Sequence, residues 1–511
     1  MTPTLHALIE AGLARSPDAI AIRTGDDGTV TARALGVRAR GFASALAAAG
    51  VQPGDRVAVR VEKSVDAIAL FLGTLRAGAV FLPLNTAYTL AELGPLLADA
   101  APRIFVTDPA AVDQCRVAIP EGTALRTLGT RGEGDLAAAA DAAIAGGVAA
   151  PAPDLGPDDP AAMLYTSGTT GRPKGALLSH DNLRSNVETL CTAWGMTSSD
   201  VLLHALPLFH AHGLFVAAGT ILAAGGSMIL LPRFDAETVR ARLPEATVFM
   251  GVPTFYARLL DLPGFGAADC PKLRLATAGS APLGPDLFRR FEAATGHAIL
   301  ERYGATEMSI VVSNPLDGER RPGSIGYPLP GIEARIAGAG DMPLPAGETG
   351  ELQIRGPAVF RGYWRRPEAT AEAFTADGFF RTGDLARADA DGRLSIVGRS
   401  KDLIITGGYN VYPREVEILL DDMEGVGESA VIGLPHADFG EAVTAVVEPA
   451  QGAPRPDEAR ILPALRAALA AYKCPKRVLV VDRLPRNTMG KIEKARLRSE
   501  HAGLYTAAQK K

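Results

Sequence analysis

The sequence predicts an α/β protein with a large, multi-layered N-terminal domain of parallel sheets and a β-rich subdomain, followed by a small α+β C-terminal domain. Three observations support this fold class. The chain has 511 residues, which is too long for one hydrophobic core. Residues 1–135 and 161–400 alternate helical and strand-like patterns, as layered α/β domains do. Residues 401–511 form a second, shorter series of elements, so we divide the chain into domains 1–400 and 401–511.

Several elements of the N-terminal domain can be placed by their patterns. Arg56–Val61 is a predicted strand, and Ser64 is a predicted N-cap for a helix over Val65–Ala77. The stretch Leu136–Pro160 is rich in Ala, Pro and Gly, which is typical of a surface connection. Toward the end of the domain the pattern becomes more β-like, with Gly-rich turns between short strands such as Gly350–Arg355.

The C-terminal domain has its own order of elements. Its patterns predict a strand, a helix, two strands, a helix and a strand. These elements are Leu403–Thr406, Pro413–Asp422, Glu428–Gly433, Ala442–Glu448, Glu458–Ala471 and Arg477–Val481.

Composition and charge argue against several classes of protein. A net charge of −5 does not suit a protein dominated by nucleic-acid binding. The four cysteines are far apart without a CxxC pair, so no zinc site or disulfide framework is predicted and a reducing cytoplasm is expected. No secretory-signal pattern is recognisable at the N-terminus. Leu214–Leu231 carries no charge, but Gly225-Gly226 interrupts it, so we interpret it as a buried helix and strand rather than a membrane span.

The most informative local pattern is LYTSGTTGRPKG, Leu164–Gly175. An apolar run leads into six consecutive Ser, Thr or Gly residues, Thr166–Gly171, and the loop ends in Lys174. Glycines let backbone N–H groups approach a phosphate, hydroxyls add donors, and lysine adds positive charge. A flexible turn is the alternative interpretation. The P-loop of nucleotide hydrolases needs GxxxxGK followed by Ser or Thr, and this spacing excludes that class.

This loop resembles the phosphate loop of the adenylate-forming superfamily, which includes acyl-CoA synthetases, peptide-synthetase adenylation domains and beetle luciferases. Further blocks resemble that superfamily in the same order along the chain. The resemblance implies an enzyme that adenylates a carboxylic acid with ATP and passes the acyl group to coenzyme A. The further blocks are RYGATEM (Arg302–Met308), TGDL (Thr382–Leu385), GRSKDLIITGGYNVYPREVE (Gly398–Glu417) and PRNTMGK (Pro485–Lys491).

The resemblance implies roles in binding ATP and Mg²⁺. Glu307 and Thr166 would help to hold Mg²⁺, a cation suited to oxygen ligands. Thr306 would lie beside the α-phosphate, and Asp384 would bind the ribose hydroxyls with the help of Arg399. The remaining nucleotide positions are Ser167, Gly168, Thr169, Thr170, Gly171, Lys174, Tyr303 and Gly304.

Catalysis and domain motion are implied by the same resemblance. Lys491 matches the catalytic lysine of adenylation, where a positioned ammonium stabilises the charge that develops at the α-phosphate. Lys401 matches the hinge, which makes the C-terminal domain a mobile lid with two orientations. In the second orientation, Gly407 and Gly408 would line the tunnel for the pantetheine thiol of CoA. The pattern around Lys491 is also similar to that of reversibly acetylated acyl-CoA synthetases, so we hypothesise an acetyltransferase as a partner.

The acid substrate is indicated by two arginines. Arg258 follows GVPTFYA, Arg302 precedes Tyr303-Gly304, and AGSAPL (Ala278–Leu283) lies between them. With FHAHGL and VIGLPHADFGEAVTAV, this combination resembles the malonyl-CoA synthetases of the superfamily. In that group the matching arginines and the serine at the position of Ser280 bind the free carboxylate of malonate, and arginine suits this role because its planar fork binds carboxylate bidentately. The further implied contacts are Gly279, Ala305, the pocket-shaping His212, and His210, which shapes the pocket and is expected to act in catalysis.

RYGATEM departs from RYGMTET, the usual form in malonyl-CoA synthetases. Ala305 would widen the acyl pocket, so we hypothesise that methylmalonate or another 2-substituted malonate is accepted. Four alternatives stay open: a ligase for a neutral short or aromatic acid, an adenylation domain that loads a carrier protein, an oxygen-dependent luciferase, and a nucleotide-binding sensor without catalysis. Retention of Lys174, Glu307, Asp384 and Lys491 argues against the sensor. No nucleic-acid or membrane partner is expected.

Overall fold

The structure is a computed structural model, and it describes residues 4–166, 173–406, 409–436, 438–487 and 490–505. The chain begins with alternating helices and strands. As predicted, α3 starts after Ser64, whose hydroxyl accepts the N–H of Ala67 at 3.1 Å. The elements are α1 (Leu5–Ala14), β1 (Ile20–Thr24), β2 (Thr29–Thr31), α2 (Ala32–Ala48), β3 (Arg56–Arg60), α3 (Val65–Arg76), β4 (Val80–Pro83), α4 (Leu90–Ala100), β5 (Ile104–Thr107), α5 (Val112–Cys115), β6 (Ala124–Thr127) and α6 (Asp135–Ala145).

The predicted surface connection over Leu136–Pro160 is wrong in its first part, which is α6. Alanine is the strongest helix former, and an Ala-rich stretch becomes a helix when it can pack. Leu136, Ala137 and Ala140 are buried, and α6 packs against α2, where Gly41 leaves room for Ile144. Residues 146–159 carry no helix or strand and form the connection.

The remainder of the N-terminal domain continues the alternation and then becomes strand-rich. Its elements are β7 (Pro160–Thr166), β8 (Lys174–Ser179), α7 (His180–Ala193), β9 (Val201–His204), α8 (Gly219–Ala224), β10 (Ser227–Leu230), α9 (Ala236–Arg242), β11 (Val248–Gly251), α10 (Pro253–Leu260), β12 (Leu275–Ala278), α11 (Pro285–Thr295), β13 (Leu300–Ala305), β14 (Ser309–Ser313), β15 (Tyr327–Pro328), β16 (Glu333–Ala337), β17 (Thr349–Arg355), β18 (Gly362–Tyr363), α12 (Pro367–Ala373), β19 (Phe380–Ala388) and β20 (Leu394–Arg399).

Two mainly parallel sheets and one antiparallel sheet build the N-terminal domain. The first sheet has the order β15-β14-β13-β12-β11-β9-β10-β1-β2, and its strands from β13 to β1 run parallel. The second has the order β18-β8-β7-β4-β3-β5-β6, with parallel strands from β7 to β6. Strands β16-β17-β19-β20 form the antiparallel sheet. The predicted fold class is confirmed.

The apolar run Leu214–Leu231 is a buried helix followed by a strand, as predicted. A π-helical turn, His212–Ala218, continues into α8, and Gly225 ends the helix with a φ of +77° before β10. A residue without a Cβ adopts this left-handed conformation at little cost. Within the described ranges, the longest and most apolar helices fall short of what a membrane crossing requires.

The C-terminal region has a sheet and a core of its own. Strands β23 and β24 pair antiparallel at its centre, β25 adds parallel to β24, and α13 and α14 pack with this sheet. The six predicted elements are present, whereas β22 and α15 were not predicted. The elements are β21 (Ile404–Thr406), β22 (Tyr409–Val411), α13 (Pro413–Asp421), β23 (Val426–His436), β24 (Gly440–Pro449), α14 (Glu458–Ala468), β25 (Arg477–Val480) and α15 (Lys494–His501).

Candidate active site

The phosphate loop joins the ends of a hairpin in the second sheet. Strands β7 and β8 are antiparallel, and Thr166 is paired with Lys174 across the open end. Ser167, Gly168, Thr169, Thr170 and Gly171 lie outside the described residues, so their predicted contacts stay predictions. The two ends of the loop are held in place by the sheet, so they can present a hydroxyl and an ammonium at one edge.

Glu307 lies opposite this hairpin, in the turn between β13 and β14. The hydroxyl of Thr166 donates a hydrogen bond to Oε1 of Glu307 at 3.2 Å, across 141 residues of sequence. Thr306 stands in the same turn, half-buried. The described part of the chain contains no cluster of three or more His, Cys, Asp or Glu side chains suited to a metal. One carboxylate with a neighbouring hydroxyl fits Mg²⁺, which commonly takes one or two protein carboxylates together with substrate phosphates.

A glycine makes the Glu307 turn possible. A Cβ added to Gly304 would lie 1.7 Å from the carbonyl oxygen of Ser309, in the facing strand. Strand β13 also changes register at Tyr303/Gly304, so the hairpin bends at this point. Bulges next to active sites commonly redirect side chains in this way. Gly304 therefore acts through the backbone of the turn.

The predicted ribose-binding residues form a polar network. Asp384 of β19 is buried, and it accepts a hydrogen bond from the hydroxyl of Tyr303 at 2.5 Å. Nε of Arg399 lies 3.1 Å from the other oxygen of Asp384. Burial and the carboxylate of Asp384 raise the pKa of the Tyr303 hydroxyl, which therefore stays a donor. The carboxylate keeps a fixed orientation even without a ligand.

Lys491 reaches this network from the C-terminal region. Its segment folds back on itself: Asn487 donates its N–H to the carbonyl of Lys491 at 2.9 Å, and its side-chain oxygen accepts the N–H of Lys491 at 3.0 Å. Three residues further on, Lys494 forms a 2.6 Å ion pair with Glu417 of α13, whose carboxylate is nearly inaccessible to solvent. These contacts hold the Lys491 backbone against its own domain.

The Lys491 ammonium interacts with groups from several N-terminal strands. Burial, followed by the positive charge of Arg399, lowers its pKa to about 8, while Asp384 and Glu307 oppose that shift. Lys491 is therefore mainly protonated at neutral pH, next to the candidate phosphate and ribose groups. Lys401 is exposed, in the short turn Ser400–Asp402 between β20 and β21. Gly407 and Gly408 lie outside the described residues.

A second group of polar side chains lies just beyond the carboxyl end of β12 and beside it in β13. Arg302 is only 4% exposed, although it carries a guanidinium. It packs on Gly279, where an added Cβ would lie 2.3 Å from the guanidinium carbon. Ser280 follows in a left-handed conformation with a φ of +67°, and its hydroxyl lies 3.3 Å from Nδ1 of His212. A non-glycine residue held in this conformation is strained, which is common at ligand sites.

The polar atoms of this group are incompletely paired. Nε and Nη2 of Arg302 and Nε2 of His212 are buried, and no described residue accepts from or donates to them. Burial without an acid beside it lowers the pKa of Arg302 to about 9. Native proteins rarely leave buried polar groups unpaired, and each such group in a structure calls for an explanation. A ligand with an anionic group would pair them.

Both pocket histidines are neutral. Burial, followed by the charge of Lys491, lowers the pKa of His210 to about 3, and burial and Arg302 lower that of His212. His210 accepts the N–H of His212 through Nδ1 at 3.1 Å. Ala305 is half-buried at the end of β13. Arg258 is exposed on α10, and its substrate role stays a prediction.

Three residues near the site were not predicted. Lys63 is half-buried and donates to the carbonyls of His204 and Leu206 at 2.7 and 2.8 Å, which supports the segment before His210. Glu301 accepts the N–H of Leu283 at 3.3 Å, and burial raises its pKa to about 7. The available signal for Glu301 was a carboxylate directly after the apolar residues Ile299 and Leu300. Tyr363 contacts Glu307, and no local pattern indicates it.

Comparison with known proteins identifies the family. The family of AMP-binding enzymes matches residues 9–364, and the C-terminal domain of AMP-binding enzymes matches residues 415–491. The chain therefore belongs to the AMP-binding enzyme family, and the predicted membership of the adenylate-forming acyl-CoA synthetases is confirmed.

Individual relatives are CoA ligases for different acids. A feruloyl-CoA synthase from Amycolatopsis is 40% identical, over 94% of this chain and 96% of its own length. A malonate–CoA ligase from Arabidopsis thaliana is 37% identical, over 88% of this chain and 78% of its own. Among solved structures, ATP-bound MatB from Rhodopseudomonas palustris is 50% identical, covers 98% of this chain and 100% of its own, and has a TM-score of 0.94. Its apo form, with the same identity and coverage, has a TM-score of 0.84.

Proposed function

We propose that the chain is a malonyl-CoA synthetase that converts malonate, ATP and CoA to malonyl-CoA, AMP and diphosphate. The observation that carries the substrate assignment is the buried guanidinium of Arg302, two of whose nitrogens have no partner among the described residues, near His212 and Ser280. A dicarboxylate can present one carboxylate to ATP and the other to this group. A bidentate arginine–carboxylate pair would satisfy the donors that are otherwise left unpaired. The malonate–CoA ligase among the relatives supports this assignment.

In the first step, one carboxylate of malonate attacks the α-phosphorus of ATP and diphosphate leaves, while the other carboxylate stays paired with Arg302. Asp384, held by Tyr303 and Arg399, orients the ribose, and Lys174 balances charge on the phosphates. The Lys491 ammonium stabilises the charge that develops at the α-phosphate, and Thr306 lies in the adjacent turn. Mg²⁺ held by Glu307 and Thr166 would neutralise phosphate charge when bound. The better superposition on the ATP-bound relative than on its apo form supports an adenylation-competent orientation.

In the second step, the thiol of CoA attacks the acyl carbon of the malonyl-adenylate, and AMP leaves. We propose that domain 401–511 turns about Lys401 between the steps, which withdraws Lys491 and brings Gly407 and Gly408 to the thiol channel. The neutral imidazole of His210 feels the charge of Lys491 and accepts the N–H of His212, and it can position either reactant by hydrogen bonding without adding charge.

An acid panel tests the substrate assignment. Purified protein is supplied with ATP, Mg²⁺ and CoA, and AMP is measured with malonate, methylmalonate, succinate, acetate, octanoate, benzoate and ferulate in parallel. We expect malonate to have the highest kcat/KM, with methylmalonate as a second substrate because Ala305 leaves space beside the acyl carbon. A preference for ferulate or benzoate would instead favour an aromatic acid ligase, as the feruloyl-CoA synthase relative suggests.

Two further expectations belong to the same proposal. Comparing the malonate-to-methylmalonate ratio before and after Ala305→Met tests the wider pocket, and an unchanged ratio would contradict it. Acetylation of Lys491 by an acetyltransferase would remove the charge that adenylation needs, and normal adenylation by site-specifically acetylated protein would exclude this regulation. A cytoplasmic location is proposed from the free thiols of the described cysteines.

A further inference from the structure

Tyr363 lies between the two charged residues that face the proposed triphosphate. Its hydroxyl donates a hydrogen bond to Oε1 of Glu307 at 3.1 Å. The face of its ring lies 5.2 Å from Nζ of Lys174, which is within the range of a cation–π interaction. One half-buried side chain therefore contacts both a carboxylate and an ammonium that come from different sheets.

Among the described residues, hydroxyls contact the carboxylate of Glu307 through one of its two oxygens. Tyr363 and Thr166 both donate to Oε1, whereas no described residue donates a hydrogen bond to Oε2. An ionised carboxylate accepts through both oxygens. The two hydroxyls therefore hold one oxygen and leave the other available for a cation or for water. Without the phenol, Glu307 would keep a single weak hydroxyl contact and could rotate.

The position of the Lys174 ammonium depends on a different kind of contact. Lysine is a point charge on a flexible four-carbon stem, so its position depends on what its stem and head pack against. The Tyr363 ring supplies an attractive surface for the cation, and it does so without neutralising the charge. A carboxylate at this position would pair with Lys174 and compete with phosphate for it.

The backbone around Tyr363 is connected to both segments. Phe360 donates its N–H to the carbonyl of Glu307 at 2.7 Å, and Trp364 donates to the carbonyl of Gly175 at 2.7 Å. Tyr363 itself pairs with Ala176 in the β18–β8 ladder and donates its N–H to the hydroxyl of Thr370 at 2.9 Å. The segment Phe360–Trp364 thus joins the Glu307 turn to the strand that carries Lys174. Tyr363 is the residue of this segment whose side chain contacts both Glu307 and Lys174.

We propose that Tyr363 is a positioning residue that holds Glu307 and Lys174 at a fixed separation for Mg²⁺ and the ATP phosphates. This role rests on the proposed ATP site, but it does not depend on which acid the enzyme uses. Two separable effects follow. The hydroxyl acts on Glu307 and therefore on the metal, whereas the ring acts on Lys174 and therefore on the phosphates.

The chain offers a matched control in Tyr327. Its hydroxyl also donates to a carboxylate, Oδ2 of Asp391, at 2.9 Å. Its ring also lies under a cation, with Cζ of Arg393 4.9 Å from the centroid. Neither partner belongs to the candidate site. Tyr327→Phe and Tyr327→Leu therefore reproduce the chemical change of the Tyr363 variants at a place where no ligand is proposed.

The test measures ATP binding by titration calorimetry without any acid, once with Mg²⁺ and once with a chelator. Tyr363→Phe should raise the Mg²⁺ concentration needed for half-maximal ATP affinity by roughly tenfold, the scale of one hydrogen bond to a charged group. In chelator it should bind ATP as the wild type does. Tyr363→Leu should in addition weaken ATP binding in chelator by a factor of roughly 3 to 10, because the cation–π contact is lost.

A double-variant cycle shows whether Tyr363 acts through Glu307. In a Glu307→Gln background, Tyr363→Phe should have no further effect on the Mg²⁺ requirement. Equal effects in both backgrounds, or Tyr363 variants that match their Tyr327 counterparts, would overturn the proposal. If Tyr363→Leu fails to fold, Tyr363→Phe and the cycle still decide it, since only a hydroxyl is removed. Failure of the malonate assignment would appear in the acid panel and would leave these binding results unchanged.

Discussion

The nucleotide side and the acid side of the candidate site differ in how their charged groups are paired. On the nucleotide side, Asp384 is held by Tyr303 and Arg399, and Glu307 is held by Thr166 and Tyr363. On the acid side, Arg302 is buried with two unpaired nitrogens, and Nε2 of the neighbouring His212 is also unpaired among the described residues.

This difference suggests two ways of binding. The chain belongs to the AMP-binding enzyme family, and a prepaired network would present its carboxylates in one geometry before ATP arrives. The acid pocket instead holds a desolvated positive charge, and an anionic ligand is expected to pair with it. Such a site discriminates strongly, because an acid without the matching group leaves buried donors unpaired. The acid side should therefore control selectivity, and the nucleotide side should control rate and stability.

The largest effect is expected for Arg302→Met with malonate. Loss of one partner of a buried charge pair costs on the order of 2–5 kcal/mol, so kcat/KM for malonate should fall by roughly 30-fold to several thousand-fold. Activity with acetate should be retained or should increase, because acetate has no second carboxylate to pair. Steady-state assays with both acids measure this, and Arg233→Met, at an exposed arginine outside the predicted site, is the control. An equal loss with both acids would mean that Arg302 serves the nucleotide side.

Lys491→Gln should separate the two half-reactions. Removing a positioned charge at the developing phosphate charge should slow adenylation by roughly 10²- to 10³-fold, as loss of one oxyanion donor does. Conversion of supplied malonyl-adenylate to malonyl-CoA should continue, since the proposed domain rotation withdraws Lys491 before that step. Pyrophosphate exchange and thioester formation are measured separately, with the exposed Lys272→Gln as control. Equal losses in both steps would contradict the proposed role.

The pH dependence of adenylation should follow Lys491. Its pKa is lowered to about 8 in the free enzyme, and the proposed role requires the protonated form. The value of kcat/KM for ATP, which reports free-enzyme groups, should fall by half near pH 8 and by about tenfold per pH unit above it. The alkaline fall in kcat should occur at a higher pH, because bound triphosphate stabilises the protonated ammonium of Lys491. Pyrophosphate exchange without CoA avoids titration of the CoA thiol. A flat kcat/KM profile up to pH 10 would exclude Lys491 as the required acid.

The smallest effects, and the clearest contrast, are expected in stability without ligand. Arg302→Met replaces an unpaired buried charge by an apolar side chain and should raise the free energy of unfolding by about 1–2 kcal/mol. Asp384→Asn weakens contacts to Tyr303 and Arg399 and should lower it by about 1–3 kcal/mol. Denaturant unfolding of both variants measures the two signs. If both variants changed the free energy of unfolding in the same direction, the proposed difference between the paired nucleotide side and the unpaired acid side would be wrong.

Much of the local structure was predictable because its signals are local. The cap at Ser64, the glycine break at Gly225 and the order of elements in the C-terminal region depend on neighbouring residues, and the structure agrees with them. The helix over Asp135–Ala145 was not predicted, because its Ala-rich sequence was interpreted as a surface connection and its packing against α2 is not visible in the sequence. The ordered motifs correctly indicated the family, since several short blocks in one order seldom occur by chance.

The sequence by itself determined which chemical groups the enzyme has: a lysine near the C-terminus, a Gly- and Thr-rich loop, and the carboxylates Glu307 and Asp384. Only the tertiary structure decided how those groups are paired. Tyr303 meets Asp384 across 81 residues, and Tyr363 meets Glu307 across 56. Arg302 is buried with two nitrogens unpaired among the described residues, whereas Arg258, equally prominent in the sequence, is exposed. The reason is physical: residue type and spacing follow from the chain, but burial and pairing depend on which strands and domains pack together.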